Sequence, residues 1–248
     1  MLPGRRPLGC LLLHGFTATP EEVRPLGDAL AGAGFPVRAP RLAGHATTPD
    51  DLARTGWRDW VASAEDALAA VHTEASRNAI VGVSLGSLLG LLLAARHPHD
   101  VAAVVCCATP FRLRDRRLQV LRSLRWLPPV QRRYAVVRKG NRDISDPAAR
   151  AASRSYDVIP LPALLSFLQL RGIVRNALGR VTQPALVLHG RNDHVAPVSN
   201  LELLRRSLGS RRVECHVLER SWHVVSEDVE RDLVARFTID FLTRIEAS

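Results

Sequence analysis

The sequence reads Gly82-Val83-Ser84-Leu85-Gly86 at the junction of two strongly patterned segments. A short apolar run, Ala79–Val83, ends directly before Ser84, and a leucine-rich run of helical length begins at Leu85. A serine on so sharp a turn between strand and helix has a strained backbone and an exposed hydroxyl. Glycines flank such a turn because side chains there would collide with neighbouring elements. The pentapeptide and its context therefore predict a nucleophile at Ser84.

Short β-branched or leucine-rich runs alternate with longer helical patterns on both sides of this turn. The alternation indicates an α/β fold with a mostly parallel sheet flanked by helices. The predicted strands are Gly9–His14, Pro36–Ala39, Ala79–Val83, Val101–Cys107, Ala185–His189 and Val213–Leu218. The predicted helices lie near Pro20–Ala33, Trp57–Thr73, Leu85–Arg96, Ser199–Leu208 and Val229–Ile245.

The alternation breaks once, between Pro110 and Arg180. This stretch has no strand-like run, and its apolar residues have helical spacing in two pieces, Leu118/Leu121/Leu124 and Leu161/Leu164/Leu165/Leu168. Several prolines should cut it into short helices. We interpret residues 111–180 as a helical cap, or lid, inserted into a core that comprises residues 1–110 and 181–248.

A serine hydroxyl needs a base, and the base needs an orienting group. In a fold of this kind the expected chain order is serine, acid, histidine. Asp193 follows the predicted strand Ala185–His189, and His223 follows the last predicted strand. The carboxyl ends of parallel strands are where catalytic groups gather. We therefore predict Asp193 as the orienting acid and His223 as the base.

Other interpretations of these residues compete with that prediction. Asp193 follows glycine and asparagine and could simply form a turn. Three other histidines lie near strand ends, namely His14, His45 and His189. Only His223 combines a loop after a strand with a position beyond Asp193.

Two backbone amides should stabilise the oxyanion that forms during acyl transfer. The amide of Leu85 follows the nucleophile directly and begins a helix, whose amino end favours negative charge. The second donor should come from the loop after the first strand, His14-Gly15-Phe16. We predict Phe16 for this role.

The charge of +10 over 248 residues comes almost wholly from arginine, because Lys139 is the only lysine. No nucleic-acid-binding motif accompanies it, so we expect no nucleic-acid partner. Ten arginines crowd one region: Arg112, Arg114, Arg116, Arg117, Arg122, Arg125, Arg132, Arg133, Arg138 and Arg142. They form either a solvated face or a surface attracted weakly to anionic lipid or acidic substrate.

Composition and cysteine usage predict a soluble cytoplasmic protein. No apolar run reaches the roughly 18 residues that span a bilayer, and the run after Arg6 is too short for a signal peptide. The four cysteines, Cys10, Cys106, Cys107 and Cys215, lie in predicted buried strands without metal-like spacing. They are expected to be reduced.

Several stretches resemble bacterial carboxylesterases and monoacylglycerol lipases of the α/β-hydrolase superfamily. They are Leu11–Thr17, Gly44-His45, Thr55–Trp60, the pentapeptide around Ser84 and His189–Pro197. The resemblance implies an α/β-hydrolase fold that lacks some edge strands, a helical lid, no cofactor or metal, and hydrolysis of carboxylic esters. It places the nucleophile on Ser84, the acid on Asp193, the base on His223 and the oxyanion donors on Phe16 and Leu85.

The predicted function is hydrolysis of small-molecule carboxylic esters, such as short- to medium-chain acyl esters or monoacylglycerols, through an acyl-enzyme. The same triad would also serve a thioesterase, an amidase or a C–C hydrolase, since fold does not fix substrate. A silent binding protein is the remaining alternative, although a complete set of candidate residues argues against it. The sequence leaves the oligomeric state open.

Overall fold

The computed structural model describes residues 6–115, 135–140 and 142–247. The strands are β1 Leu8–Leu13, β2 Val37–Arg38, β3 Arg77–Val83, β4 Val101–Cys107, β5 Val136–Arg138, β6 Val158–Pro160, β7 Ala185–Gly190 and β8 Val213–Leu218. The α-helices are α1 Arg24–Gly32, α2 Pro49–Ala53, α3 Trp57–His72, α4 Leu85–Arg96, α5 Pro147–Ala152, α6 Leu161–Ala177, α7 Ser199–Ser207 and α8 Arg231–Glu246. Short 3₁₀ turns occupy Pro20–Val23 and Leu178–Arg180.

Within the described residues, six strands form one sheet in the order β2-β1-β3-β4-β7-β8, and every neighbouring pair is parallel. The predicted α/β architecture with a mostly parallel sheet is therefore confirmed. Because the strands are parallel, the carboxyl ends of β1, β3, β7 and β8 meet at one edge of the sheet.

Side chains alternate between the two faces of the sheet, as the period of a strand requires. In β1, Leu11 and Leu13 belong to the core on one face, with α3, α4 and α6. Cys10 and Leu12 belong to the core on the other face, with α1 and α8. The sheet is thus covered by helices on both sides, so its central strands are apolar throughout.

The predicted first helix is only partly observed. Residues Pro20–Val23 form a 3₁₀ turn, and the α-helix begins at Arg24. Pro25 follows in the first turn of α1, where its missing N–H costs nothing, whereas it would interrupt a helix that began at Pro20. By contrast, the strands Val101–Cys107 and Val213–Leu218 have the predicted bounds.

The prediction for residues 111–180 is wrong in two respects. The stretch contains two strands, because β5 and β6 pair antiparallel with Val136 opposite Pro160. The second half is not cut throughout into short helices: α5 has six residues and begins at Pro147, but α6 runs unbroken for 17 residues with Pro162 in its first turn. The amphipathic piece Leu118/Leu121/Leu124 lies outside the described residues.

The described part of residues 111–180 packs on the turn that follows β1. Ser155 forms a β-bridge with Ala18, and the N–H of Tyr156 donates to the carbonyl of Thr17 at 3.0 Å. None of the helices in the described ranges combines the length and the apolarity needed to cross a membrane.

Candidate active site

Ser84 lies between the end of β3 and the start of α4 with φ 52° and ψ −109°. A positive φ is uncommon for a residue with a side chain and costs about 1–3 kcal/mol. The N–H of Ser84 donates to the carbonyl of Cys107 in β4 at 2.9 Å, which fixes the turn to the sheet. The backbone thus has the strained geometry that the sequence predicts for this serine.

The two flanking glycines are required by close backbone approaches. A Cβ at Gly82 would lie 2.3 Å from the carbonyl carbon of Gly86. A Cβ at Gly86 would lie 1.9 Å from the carbonyl oxygen of Leu13 in β1. Neither contact is sterically allowed, so only glycine lets α4 pack this closely on β1 and β3.

Three predicted residues form a hydrogen-bonded chain at the carboxyl edge of the sheet. The hydroxyl Oγ of Ser84 lies 2.9 Å from Nε2 of His223, and Nδ1 of His223 lies 2.7 Å from Oδ2 of Asp193. All three side chains are buried. With a proton on Nδ1, the ring donates to the carboxylate and accepts from the hydroxyl.

Asp193 is held by the loop after β7. Its Oδ1 accepts the N–H groups of Val195 and Ala196 at 2.8 and 2.7 Å. Burial alone would raise the pKa of the carboxyl, but His223 and hydrogen bonds from His189 and His223 outweigh it and hold the pKa below its ordinary value. Asp193 is therefore an anion at neutral pH.

His189, a rival at the sequence level, lies behind the acid. Its buried Nε2 donates to the carbonyl of Ala196 at 2.9 Å and lies 3.1 Å from Oδ2 of Asp193. The same carboxylate oxygen thus faces two imidazoles. His189 therefore supports the Asp193 carboxylate. That carboxylate lies between His189 and His223, so His189 does not take part in the hydrogen bond to Ser84.

The loop that carries His223 is fastened to the 111–180 stretch. The carbonyl of Asp143 accepts the N–H groups of His223 and Val224, each at 3.1 Å. The carboxylate of Asp228 accepts the N–H of Trp222 at 2.7 Å and that of Ser145 at 3.0 Å. The sequence does not predict this role of Asp228, because its partner Ser145 is distant along the chain.

The pKa of His223 is raised above its ordinary value of 6.5. Burial lowers it, but the charge and hydrogen bond of Asp193 outweigh burial, with smaller contributions from Asp143 and Glu22. The imidazolium is thereby stabilised, which would suit the predicted role of a base that holds a proton during catalysis.

This shift predicts the pH dependence of a reaction in which His223 acts as the base. Only neutral His223 can accept a proton, so kcat/KM should rise with pH and reach half its plateau above pH 6.5. Asp143→Asn should move that midpoint down towards 6.5, whereas Asp157→Asn, at a side chain 90% exposed, should leave it in place. A pH series of kcat/KM checks this, and a midpoint below 6.5 would contradict it.

The predicted oxyanion donors both have unused amides. Neither Phe16 nor Leu85 donates its N–H to a protein acceptor in the part of the chain that is described. Leu85 is the first residue of α4, where such an orphan amide is expected.

The Phe16 amide is oriented by the peptide group to which it belongs. The Gly15 carbonyl accepts from Nδ1 of His14 at 2.9 Å and from the N–H of Ala18 at 3.2 Å. In a trans peptide the N–H points opposite to the carbonyl, so these two bonds turn the Phe16 N–H away from them. The second predicted donor is thus held in a defined direction.

His14 and His45 have structural contacts. His14 Nε2 accepts the N–H of Leu42 at 3.3 Å, and burial, aided by His45, lowers the pKa of His14 to about 3. Burial lowers the pKa of His45 to about 4, and its ring packs edge-on against Trp60. Both rings are neutral at pH 7. Both ring nitrogens of His14 bond to backbone groups, and Nδ1 of His45 bonds to the carbonyl of Ala43.

Two cavities meet at the candidate nucleophile's side of the sheet. A cavity of about 140 Å³ contains Ser84 and has an apolar wall of Ile159, Leu164 and Phe167. A second cavity of about 340 Å³ shares Glu22, Lys139 and His223 with it. Its lining combines the charged or hydroxyl-bearing Arg142, Asp143, Ser153, Ser155 and His194 with the apolar Leu113, Val195 and Val224. In the described ranges no group of three or more His, Cys, Asp or Glu could hold a metal ion.

The fold and this arrangement of side chains are those of an α/β hydrolase. A family model described as "Serine aminopeptidase, S33" matches residues 8–230, and the chain belongs to that family. It is an enzyme related to lipases and esterases.

Similar proteins include a thermostable monoacylglycerol lipase of Bacillus sp. (strain H-257), 29% identical over 96% of this chain and 91% of that one. A carboxylesterase of Bacillus subtilis (strain 168) is 27% identical over 95% of this chain and 92% of its own. A solved structure from work on two metagenome-derived lipolytic enzymes has a TM-score of 0.90 at 29% identity and covers 98% of this chain and 99% of that one.

Proposed function

We propose that the protein hydrolyses carboxylic esters through an acyl-enzyme on Ser84. The observation that carries the proposal is the chain of hydrogen bonds from Ser84 Oγ through His223 to Asp193, at 2.9 and 2.7 Å. The relatives named as a monoacylglycerol lipase and a carboxylesterase support it.

In the first half-reaction, His223 Nε2 takes the proton of the Ser84 hydroxyl as the oxygen attacks the ester carbonyl. The oxyanion accepts the N–H groups of Phe16 and Leu85. Asp193 stabilises the imidazolium. His223 then donates its proton to the alkoxy oxygen, and the C–O bond to the alcohol breaks.

In the second half-reaction, water attacks the acyl carbon. His223 Nε2 takes a proton from that water, the same two amides hold the oxyanion, and the proton returns to Ser84 Oγ as the acid leaves. The cycle consumes one water, and the residues of this chain carry every proton transfer.

The two cavities suggest the substrate class. The apolar wall with Leu164 and Phe167 suits an acyl chain, because an acyl pocket must be apolar. The charged and hydroxyl-bearing side chains of the larger cavity suit an alcohol that carries hydroxyl groups. We propose short- to medium-chain acyl esters or monoacylglycerols as substrates and residues 111–180 as the cap over the acyl chain.

Leu164 offers a test of the acyl site. Leu164→Ala should move the preference towards longer acyl groups, since each buried methylene is worth about 0.8 kcal/mol, and selectivity between neighbouring chain lengths can shift up to about tenfold. A series of nitrophenyl esters of increasing acyl length measures it.

Leu168 in the same helix is the matched control. It is buried in the core but is not among the residues that line the cavity. Leu168→Ala should lower the free energy of unfolding by roughly 2–5 kcal/mol and leave the shape of the chain-length profile unchanged. An unchanged profile in Leu164→Ala would place the acyl chain elsewhere.

The same triad could instead cleave thioesters, amides or C–C bonds. Because the family is described as aminopeptidases, amides belong among the substrates to be tested. A parallel screen of nitrophenyl esters, acyl-thioesters, monoacylglycerols and aminoacyl arylamides separates these classes. The highest kcat/KM on an oxygen ester would support the proposal, and a higher value on any other class would replace it.

We further propose that the enzyme works in the cytoplasm. All four cysteines are free, which suits a reducing compartment. We also propose a weak attraction to anionic lipid through the arginine-rich part of residues 111–180. Six of those arginines lie outside the described residues: Arg116, Arg117, Arg122, Arg125, Arg132 and Arg133.

A further inference from the structure

A buried carboxylate outside the triad lies beside the candidate oxyanion turn. Glu22 belongs to the 3₁₀ turn Pro20–Val23 and is 8% exposed, whereas its neighbour Glu21 is exposed and pairs with Arg24. A buried carboxylate is costly unless it is hydrogen-bonded. Its contacts therefore indicate what it does.

Glu22 binds the turn through Gly15. Its Oε1 accepts the Gly15 N–H at 2.6 Å. A Cβ at Gly15 would lie 2.8 Å from Oε1 and 3.2 Å from Oε2, so both carboxylate oxygens lie against this residue. A side chain at position 15 would displace the carboxylate.

This contact fixes the residue that controls the Phe16 amide. Glycine rotates freely about both backbone dihedrals, so an unrestrained Gly15 would let the Gly15–Phe16 peptide turn over. Its carbonyl is held by His14 and Ala18, and its N–H is held by Glu22. The Glu22 bond therefore restrains the peptide from the other side of the Gly15 Cα.

A cation from another segment binds the same turn. Nζ of Lys139, the only lysine, donates to Oγ1 of Thr17 at 3.0 Å and to Oγ of Ser155 at 3.3 Å. Lys139 follows β5 and so belongs to residues 111–180. The turn is thus fastened to the core side by Glu22 and to the proposed cap by Lys139.

The charged groups that act on Glu22 come from two segments, Lys139 after β5 and the loop that carries His223 and Glu227. Burial raises the pKa of Glu22 to about 7, and Glu227 raises it further, while the Gly15 bond, Lys139 and His223 act in the opposite direction. Either protonation state keeps an oxygen that can accept the Gly15 N–H. The hydrogen bond therefore persists across neutral pH.

We infer that Glu22 is a positioning residue of ester hydrolysis, which orients the Phe16 oxyanion amide by holding the Gly15 N–H. The inference rests on the proposed function. Glu22 acts through Gly15 and needs no contact with the reacting atoms. Because the oxyanion forms only in the transition state, a looser amide should lower kcat and leave KM nearly unchanged.

The test compares Glu22→Ala, Glu22→Gln and Glu21→Ala with the unmodified enzyme. Loss of a whole oxyanion donor costs about 10²–10³ in kcat, so a loosened donor in Glu22→Ala should cost about 10–100-fold. Glutamine keeps an acceptor oxygen, so Glu22→Gln should stay within about threefold. Glu21→Ala removes an exposed carboxylate from the same turn and should change nothing.

Two readouts are needed for each variant. The first is kcat and KM on one nitrophenyl ester, with thermal unfolding followed by circular dichroism. The second is the rate at which a fluorophosphonate reacts with Ser84, because phosphonylation also places charge on an oxygen in the oxyanion site. Both rates should fall together in Glu22→Ala and recover in Glu22→Gln.

Three results would overturn the inference. They are an unchanged phosphonylation rate in Glu22→Ala, a loss confined to KM, and a Glu22→Gln variant that folds but is as slow as Glu22→Ala. The last would mean that charge, and not the hydrogen bond, matters. Failure of the proposed function looks different, because the unmodified enzyme would then neither hydrolyse esters nor react with the fluorophosphonate, and the inference would fall with it.

Discussion

Replacing Ser84 with alanine should lower kcat for an activated ester by about six orders of magnitude, the size of the loss when a serine hydrolase loses its nucleophile. The variant removes the only hydroxyl that lies within 2.9 Å of His223 Nε2 in the described residues. Without it no acyl-enzyme forms, and the oxyanion amides and His223 are left to assist water alone. Steady-state hydrolysis of a nitrophenyl ester measures the effect.

Ser87 is the matched control because it lies in the first turn of α4, which begins directly after Ser84, and is also buried. Its hydroxyl donates to the carbonyl of Ser84 at 2.7 Å and does not reach His223. Ser87→Ala should keep most of the activity. Activity of Ser84→Ala at about a hundredth of the normal rate or more would move the nucleophile to another residue.

Replacing Asp193 with asparagine should lower kcat by up to about 10⁴-fold. The amide NH₂ of asparagine can donate a hydrogen bond to His223 Nδ1, which favours the tautomer with its proton on Nε2. In that tautomer Nε2 cannot accept the proton of Ser84. The remaining amide oxygen can still accept the N–H groups of Val195 and Ala196, so the loop should keep its shape.

Asp157→Asn serves as the control for this change, because the Asp157 side chain is 90% exposed. Circular dichroism should show the same secondary structure in both variants. An Asp193→Asn enzyme with a normal kcat would mean that another carboxylate orients His223. An unfolded Asp193→Asn protein would mean that the loop depends on the charge itself.

The parts of the fold that could be predicted are those that local pattern determines. β4 and β8 have the predicted bounds because β4 is one continuous apolar run and β8 alternates apolar and polar residues from Val213 to Val217. The turn at Ser84 could be located because close backbone contacts require both of its glycines. Gly82 approaches the backbone of Gly86, and Gly86 approaches Leu13 in β1.

The strands of the 111–180 stretch could not be predicted in the same way. β5 and β6 have three residues each, and their pairing joins Val137 to Ile159 across more than twenty residues of chain. No period can be recognised in three residues. The length of α6 differs from the prediction for another reason. Prolines predict helix breaks, but Pro162 lies in the first turn of α6, where proline is favoured.

The roles of the buried carboxylates Glu22 and Asp228 also could not be predicted from the sequence. Glu22 follows Glu21 in a segment that looks like the polar start of a surface helix, and only the tertiary structure turns one side chain inward and the other outward. Asp228 likewise acquires its role from Ser145, which is distant in sequence. Partners so far apart leave no local pattern.

The most direct test of the central claim is the reaction of the protein with a fluorophosphonate, followed by digestion and peptide mass analysis. The account predicts one phosphonyl adduct per chain, on the peptide that contains Ser84, and no adduct in Ser84→Ala. An adduct on a different residue, or labelling that persists in Ser84→Ala, would contradict it.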